Sequence, residues 1–426
     1  MVGGVLFGVF FLLLLTGAPI TMCMGIATLV ALFTGGYALE VLPLMITKGT
    51  SNFTLLAIPY FVLAGNLMNF GGITTRIFDW ADAVCGHMKS GLAQVNVLSS
   101  IIFSGISGTA TADAAGLGLV EINAMEEKGY DKVFSAAITL ASSVIGPIIP
   151  PSVPFLIYAQ LANVSVGKMF VAGLGPGLVI AAFLMIMDRI IYDSGKVKMP
   201  PPVPFSMKRL VDKTKSGFLA LMAPLVLLFC ISSGIATSTE AGIIAVVYSI
   251  FVGLIYRDLT VKNFVFTLEQ TIISSSLIMF LIGMGTAVGW LTTAEKPPVY
   301  MSEALLGIST NKYVVLLLIN LILLILGCVL DGTTIQLIMV PILLPIIDQL
   351  GVDRIQFGVI QVFNCLIGMS TPPVGVGLFI MASITDLKMP ELVKGFLPFF
   401  IPLILSLLVI TFVPGVTLFL PSLLKI

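Results

Sequence analysis

Hydrophobic residues occur in long runs along this chain, and short polar or glycine-rich stretches separate the runs. A run of about 20 apolar residues can cross the roughly 30 Å hydrocarbon core of a bilayer as an α-helix. The more polar segments 72–89 and 296–308 are typical of helices that lie in the membrane interface. The runs predict crossings near residues 3–16, 18–36, 52–70, 169–192, 216–232, 237–256, 263–292 and 389–420.

Two glycine-rich polar tips interrupt hydrophobic stretches at corresponding places in the two halves. The first reads Ser-Gly-Ile-Ser-Gly-Thr-Ala-Thr after Phe103, and the second reads Gly-Cys-Val-Leu-Asp-Gly-Thr-Thr after Leu326. Each tip is followed by a Pro-Pro pair, at Pro150-Pro151 and at Pro372-Pro373. We predict that each tip is the turn of a re-entrant helical hairpin, at 90–127 and 312–350. Because proline breaks a helix, we also predict a broken transmembrane helix after each hairpin, at 132–162 and 354–385.

The two halves resemble each other in sequence. Residues 105–176, shifted by 222 positions without gaps, match the second half at 13 of 72 positions. Many of these matches are glycine or proline, the residues that set backbone breaks. We therefore predict a first repeat at 1–192, a connector at 193–215 and a second repeat at 216–426. About five crossings per half is an odd number, so the repeats are expected to be inverted.

Composition agrees with a membrane protein and excludes several other classes. Hydrophobic residues make up 58% of the chain and charged residues 10%, and the mean hydropathy is +1.12. A soluble domain carries about 25% charged residues, so the expected fold is an all-α polytopic membrane protein. The net charge of zero gives nucleic-acid binding no electrostatic support. Five scattered cysteines and a single histidine do not predict a transition-metal site or a disulfide framework.

The connector 193–215 belongs to the most basic stretch of the chain, and it contains Pro200-Pro201-Pro202. Basic loops remain on the cytoplasmic side of a membrane, so we expect this connector in the cytoplasm. The chain has no basic residue before Lys48, and its first apolar stretch is expected to be a retained helix rather than a cleaved signal peptide.

The two tips and the two breaks suggest ion chemistry. Non-helical backbone inside a membrane must be buried in protein or line a wet cavity. Carbonyl groups at such a break can coordinate Na⁺, and free N–H groups at a helix start favour a carboxylate. Close helix packing is the alternative role for the glycines and serines. Asp113 and Glu240 are each either functional or helix caps, and His87 is expected to be solvated.

Enzyme and ATPase signals are weak. The run Gly327-x-x-x-x-Gly332-Thr333 lacks the lysine of a phosphate-binding loop. No nucleophile has a matching base and acid partner in the sequence. We therefore expect a protein that is not an enzyme and that uses no organic cofactor.

Several motifs together resemble one transporter family. They are Gly71-Gly72-Ile-Thr-Thr-Arg-Ile-Phe-Asp, Ser-Gly-Ile-Ser-Gly-Thr-Ala-Thr-Ala-Asp113, Pro-Pro-Ser152, Gly-Ile-Ala-Thr-Ser-Thr-Glu240-Ala and Gly368-Met-Ser-Thr-Pro-Pro373. The chain is similar over nearly its whole length to the large, DctM-like membrane subunit of tripartite ATP-independent periplasmic (TRAP) transporters, of the ion transporter superfamily.

The resemblance implies a fold with a scaffold domain and a mobile, elevator-type transport domain. It also implies Na⁺ symport with about two sodium sites. The first sodium site would comprise Gly105, Ser107, Gly146, Ile149 and Pro151. The second would comprise Gly327, Asp331, Gly368, Thr371 and Pro373. The substrate carboxylate would be held near Ser107, Thr109 and Ser152.

The same resemblance implies uptake of an organic acid, such as sialic acid or a C4-dicarboxylate, across the bacterial inner membrane. The implied partners are a small four-helix membrane subunit, which we expect as a separate chain, and a periplasmic substrate-binding protein. Two alternatives remain from the sequence. One is a self-sufficient Na⁺/carboxylate carrier of the same superfamily. The other, a channel or scaffold component, fits two opposed hairpins less well.

Overall fold

A computed structural model describes residues 2–108, 110–295, 307, 309, 311–372 and 375–424, with only the backbone described at 105–107, 111, 112 and 115. This part of the chain is built of α-helices, apart from a short 3₁₀ turn at Phe53–Leu56. The α-helices are α1 Val2–Leu15, α2 Ile20–Thr34, α3 Val41–Thr50, α4 Ala57–Phe70, α5 Ile73–Cys85, α6 Leu92–Ser107, α7 Ala110–Ala115, α8 Leu117–Glu127, α9 Lys132–Ser143, α10 Val153–Ala162, α11 Val166–Ser194, α12 Met207–Ser232, α13 Ser238–Tyr256, α14 Val261–Ala294, α15 Lys312–Gly327, α16 Gly332–Gln349, α17 Arg354–Met369, α18 Val376–Thr385, α19 Met389–Phe412 and α20 Pro414–Leu423.

The predicted all-α membrane fold is confirmed. Within the described residues, seven helical segments are long and apolar enough to cross a bilayer. Shorter apolar helices of 10–17 residues accompany them, including α10, α17 and α18 of the predicted broken helices. The orientation in the membrane and the inverted relation of the two halves stay predictions.

The helix bounds differ from the predicted ones at several places, among them the predicted crossing 389–420, which is divided at Val413 into α19 and α20. Helix α3, at 41–50, was not expected, because its short apolar run contains a proline and three polar residues. The return leg of the first hairpin is two helices, since Gly116 leaves the helical conformation between α7 and α8. Helix α12 begins at Met207, inside the expected connector, because Ser206 caps it by accepting a bond from the Arg209 amide. Most of the predicted interfacial segment 296–308 lies outside the described residues.

Matching caps start the first leg of each broken helix. Asp131 caps α9 by accepting a hydrogen bond from Phe134 N at 2.9 Å. Asp353 caps α17 by accepting bonds from Ile355 N at 2.7 Å and Gln356 N at 3.2 Å. These aspartates are 222 residues apart, the offset of the sequence repeat. A carboxylate at this position satisfies amides that a helix start leaves unpaired.

The second legs of the broken helices begin within one residue of corresponding positions. Helices α10 and α18 begin at Val153 and Val376, and both contain 10 residues. The polar residues between the legs, near the Pro-Pro pairs, are therefore held between two short helices in each half. The structure thus contains two similar helix–break–helix units.

Packing divides the helices into two groups. In the first group, α9 packs on α19, α10 on α16, α15 on α17, and α7 on α18. This group therefore joins both hairpins and both broken helices into one body. In the second group, α4 packs on α13, α3 on α14, and α1 on α2. Helix α5 contacts α6 of the first group and α12 of the second, and α14 contacts α16 across the two groups.

Ion pairs surround α5 beside the basic connector. Asp82, only 7% exposed, accepts from Arg209 and pairs with Lys128 Nζ at 3.4 Å. Asp79 pairs with Lys213 at 2.6 Å. Asp82 thereby joins three elements: α5, the end of the first hairpin and the start of α12.

Candidate functional site

The tip of the first hairpin contacts the first Pro-Pro break through the backbone. Val153 N donates a hydrogen bond to Gly108 O at 3.2 Å. Gly108 has φ +64°, in the left-handed region that favours glycine. A Cβ atom at Gly108 would lie 2.9 Å from the Pro151 carbonyl oxygen. Glycine is therefore required there both by conformation and by the close approach of the break.

The second tip contacts the second break in the same way. Gly375 N donates to Cys328 O at 3.2 Å. Val153 and Gly375, the two donors, are 222 residues apart, so they occupy equivalent positions of the repeat. Gly327 and Gly368 also meet: a Cβ at Gly327 would lie 2.8 Å from the Gly368 Cα. Each half therefore brings its tip and its break together in one cluster of backbone groups.

The residues predicted for the first sodium site lie around the first break. Gly146 is buried, and a Cβ atom there would overlap the carboxylate of Asp113 and lie 3.1 Å from Ser143 O. Ile149 is 5% exposed and packs against Gly177 of α11. The Pro151 carbonyl faces Gly108, as described above. Gly105 and Ser107 lie at the end of α6, where only the backbone is described.

Asp113 is the acidic residue of this first cluster. It lies in the first turn of α7 and is 2% exposed. Its contact with Gly146 places a carboxylate directly on a predicted sodium-ligand position. A carboxylate beside several carbonyls increases the attraction for a desolvated cation. The sequence left the role of this residue open between helix cap and functional group.

The residues predicted for the second sodium site lie around the second tip. Asp331 caps α16: its carboxylate accepts from Thr333 N at 2.9 Å and Thr334 N at 3.1 Å. Thr371 donates its hydroxyl to Ile367 O at 2.7 Å. Its own carbonyl oxygen would lie 2.8 Å from a Cβ at Gly375. Pro373 lies outside the described residues.

The structure describes one of the three predicted substrate-binding side chains. Ser152 is fully buried, donates to Pro147 O at 2.5 Å and accepts from Phe155 N at 3.2 Å. Its hydroxyl proton is therefore used inside the protein in this conformation, and the residue caps α10. Ser107 borders Gly108, and Ser152 borders Val153, so the tip–break bond places their backbones close together. Thr109 lies outside the described residues.

Two buried acids were not singled out from the sequence. Glu121, 1% exposed, accepts from the Ser99 hydroxyl at 2.5 Å. Nearby, Asn96 donates to Thr139 Oγ1 at 2.7 Å and accepts from Ser142 at 2.6 Å. These bonds connect α6, α8 and α9 beneath the first tip. A signal was present in the sequence, because ionisable residues within membrane segments are costly and usually functional.

Asp188 is the second of these acids. It is fully buried in α11, and neither carboxylate oxygen has a hydrogen-bond partner among the described residues. It lies within the predicted crossing 169–192, and the charged residues that follow it in the sequence obscured its burial.

The structure shows the surroundings of Glu240, whose role the sequence left open, and of His87, which was expected to be solvated. Glu240 and Thr237 form a reciprocal capping box at the start of α13, with Thr237 N donating to Glu240 at 2.8 Å. His87 is exposed and contacts Phe205 edge-on, with ring centroids 5.1 Å apart. Glu240 therefore has a structural role at this helix end.

The two clusters share one chemical capability. Each combines backbone carbonyl groups, a short helix start and one acidic residue in or near a tip. Hard cations bind oxygen ligands, and Na⁺ is coordinated by unwound backbone carbonyls in broken transporter helices. The arrangement suits one small cation in each cluster.

A family model matches most of the chain. The model described as "Tripartite ATP-independent periplasmic transporter, DctM component" matches residues 7–416. The sialic acid TRAP transporter large permease SiaM of Vibrio cholerae is 39% identical over 377 residues, which cover 88% of each chain. The sialic acid TRAP transporter permease SiaT of Haemophilus influenzae is 36% identical over 98% of this chain and 68% of its own length. The C4-dicarboxylate large permease DctM of Pseudomonas aeruginosa is 34% identical over 89% of each chain.

Solved structures support the fold. The YdaH transporter of Alcanivorax borkumensis superposes with a TM-score of 0.64 at 12% identity, covering 86% of each chain. The MtrF efflux pump of Neisseria gonorrhoeae superposes with a TM-score of 0.55 at 13% identity, covering 88% of this chain and 83% of its own. At such identities the likeness concerns the fold alone.

Proposed function

The chain belongs to the DctM-component family of tripartite ATP-independent periplasmic transporters, and from this premise we propose that it carries out sodium-coupled uptake of an organic acid across the bacterial inner membrane. Its relatives are permeases, a non-enzymatic role. The observation that carries the sodium coupling is the pair of tip-to-break backbone bonds, Val153 to Gly108 and Gly375 to Cys328, whose donors occupy equivalent positions of the repeat.

Sodium is held, in this proposal, by the carbonyl groups that gather where each tip meets its break. Gly146 lets the Asp113 carboxylate approach the backbone of the first cluster, and Gly368 lets the Gly327 backbone approach that of the second. The negative charge near the carbonyls offsets the cost of removing water from Na⁺. Sodium bound at a tip stabilises the backbone that faces the substrate, so substrate affinity increases with sodium concentration.

The substrate is proposed to be a carboxylate that binds between the two clusters. Relatives are named for sialic acid, C4-dicarboxylates and 2,3-diketo-L-gulonate, which are all acids. The start of α10 and the first tip supply backbone N–H groups and a helix dipole that favours an anion. Ser107 and Thr109 remain the proposed side-chain contacts, with Ser152 holding the break in shape.

An elevator movement is supported by the two packing groups. Both hairpins and both broken helices pack together, so the proposed sites would move as one body. Helices α3, α4, α13 and α14 pack with one another and would remain as the scaffold. Helix α5, which contacts both groups, would transmit or limit the movement.

The proposed partners follow from the tripartite family. A small membrane subunit would pack on the exposed apolar faces, and a periplasmic binding protein would deliver the substrate. Exposed apolar side chains are numerous on α1, α12 and α14, where lipid or a membrane partner can cover them.

Uptake into proteoliposomes tests this function. The purified large subunit, reconstituted with its small subunit, should accumulate labelled N-acetylneuraminate or succinate when loaded binding protein and an inward Na⁺ gradient are both present. Replacing Na⁺ with K⁺ should abolish accumulation, and adding ATP should not restore it. Equal uptake without the small subunit and without binding protein would support a self-sufficient Na⁺/carboxylate carrier instead.

A further inference from the structure

A cleft opens between the two packing groups, away from the tips. Helices α3 and α14 form one wall, and α10 and α16 form the other. Its volume is about 680 Å³, which is sufficient for a small organic molecule. Helix α10 ends at Ala162, and α11, which begins at Val166, crosses the membrane to the connector that is expected in the cytoplasm. The cleft is lined by this same end of α10, so it lies towards the proposed periplasmic face.

The cleft is lined by four nitrogen donors and by the hydroxyl groups of Ser51, Thr286 and Thr293, which donate to nearby backbone carbonyl groups. Lys48 is its one charged residue, and Asn52, Gln160 and Trp290 add N–H groups. None of these four donor groups gives a hydrogen bond to another residue in the described part of the chain. A set of donors with one positive charge and no lining carboxylate is suited to an anion.

The neighbouring acid is held elsewhere. Glu295, just beyond α14, accepts a hydrogen bond from the Tyr37 hydroxyl at 2.8 Å. Tyr37 also packs edge-on against Trp290, with ring centroids 5.6 Å apart. The hydrogen bond to Glu295 raises the pKa of Tyr37. Glu295 itself lines a separate apolar cavity. Lys48 consequently has no ion-pair partner within the described residues.

One helix joins the cleft to the proposed substrate site. Helix α10 begins after Ser152, at the first break, and Ile157 and Gln160 farther along it line the cleft. At 1.5 Å per residue, Ile157 lies roughly 8 Å along the axis from Ser152. Gln160 lies about 12 Å along the axis from Ser152, so an anion held by Gln160 is about two helical turns from the proposed site.

We propose that this cleft is a receiving site for the organic-acid anion, with Lys48 as its recognition group and Gln160 and Trp290 as supporting donors. The proposal rests on the proposed function, since it supplies the same substrate class to the same transporter. Binding there would precede transfer along α10 to the tip–break clusters. The ordinary role for Lys48 is a solvated residue in the last turn of α3, where a positive charge favours the helix end.

Trp290 provides a test that does not require transport. The chain has two tryptophans, so Trp80→Phe leaves Trp290 as the single tryptophan reporter. The purified Trp80→Phe large subunit is titrated with N-acetylneuraminate and with succinate, without binding protein. A saturable change of Trp290 emission with one of these anions is expected. In the Trp80→Phe background, Lys48→Gln should raise the anion concentration that gives half of the emission change about ten-fold or more, because a hydrogen bond between charged groups is lost.

Three further variants make the result specific. Lys48→Arg keeps the charge and should retain most of the response. Gln160→Leu removes a neutral donor and should weaken binding less than Lys48→Gln. Lys312→Gln, at an exposed lysine of α15 that does not line the cleft, should titrate like its parent.

The proposal is overturned if neither anion changes Trp290 emission, or if Lys48→Gln titrates like its parent. It is also overturned if Lys48→Gln alters only the dependence of uptake on binding-protein concentration, since Lys48 would then be a docking residue. Saturable, Lys48-dependent binding without Na⁺-driven uptake would contradict the proposed function and leave the cleft as an anion site.

Discussion

Gly327 and Gly368 touch through their backbones: a Cβ at Gly368 would lie 2.5 Å from the Gly327 Cα. The first residue ends α15 at the second tip, and the second lies in the last turn of α17, before the Pro-Pro break. This contact places the carbonyl groups of tip and break in one cluster. The sodium-binding role of that cluster is the central element of the proposed mechanism.

Gly368→Ala should therefore abolish uptake and lower thermal stability. The added methyl group meets backbone atoms rather than a flexible side chain, so the cost reaches or exceeds the roughly 1–3 kcal/mol of an overpacked core. Melting temperature in detergent and initial uptake rate are the measurements. At Gly332, in the same tip, a Cβ would lie 3.4 Å from Cys365 Cβ, an ordinary contact, so Gly332→Ala should keep its melting temperature. Equal stability of Gly368→Ala and wild type would show that the two helices separate easily.

Asp331 can be tested for two roles with two substitutions. Asp331→Ala removes both the cap and the charge, and it should cost about 1 kcal/mol of stability. Asp331→Asn keeps a good capping side chain and removes only the charge. If the carboxylate attracts Na⁺, Asp331→Asn should retain its melting temperature while the Na⁺ concentration for half-maximal uptake rises several-fold. Unchanged sodium dependence in Asp331→Asn would assign this residue to capping alone.

Asp82 should contribute to stability more than the exposed ion pairs do. It is nearly buried between Arg209 and Lys128, and its replacement by Asn leaves both cations without their carboxylate. Asp82→Asn should cost about 1.5–3 kcal/mol, the value of hydrogen bonds to a charged group. Asp193→Asn, at an exposed acid paired with Arg189 and Lys89, is the matched control and should change the melting temperature little. Similar melting temperatures for the two variants would contradict this difference.

If the two halves are inverted, as predicted, two positions should show opposite accessibility. Single cysteines at Lys132 and Lys312 should react with a membrane-impermeant thiol reagent from opposite sides. The partly exposed native cysteines, Cys230 and Cys328, are replaced first. Reaction of both positions from the same side in intact cells and in inverted vesicles would refute the predicted topology.

Sequence reasoning located the main elements because glycine, proline and aspartate act locally. The Pro-Pro pairs predicted helix breaks, and the structure has α9 and α10, then α17 and α18, on either side of them. Caps such as Asp131 and Asp353 contact amides only two or three residues away, so their positions can be read from the sequence.

Contacts between distant segments could not be read in the same way. The partners of Asp82 come from α8 and α12, and the bond from Val153 to Gly108 connects two different helical units. The structural use of the Ser152 hydroxyl was also missed, because it depends on how the break folds back on Pro147. Burial of Asp188 follows from packing around α11, which the surrounding charges in the sequence concealed.

Simultaneous measurement of sodium and substrate flux tests the central claim most directly. Proteoliposomes that contain the large and small subunits, with loaded binding protein outside, are supplied with ²²Na⁺ and a labelled organic acid. The acid should accumulate only with Na⁺ entry, at about two sodium ions per anion, and Gly368→Ala should abolish both fluxes. Accumulation of the acid without Na⁺ entry would contradict the central claim.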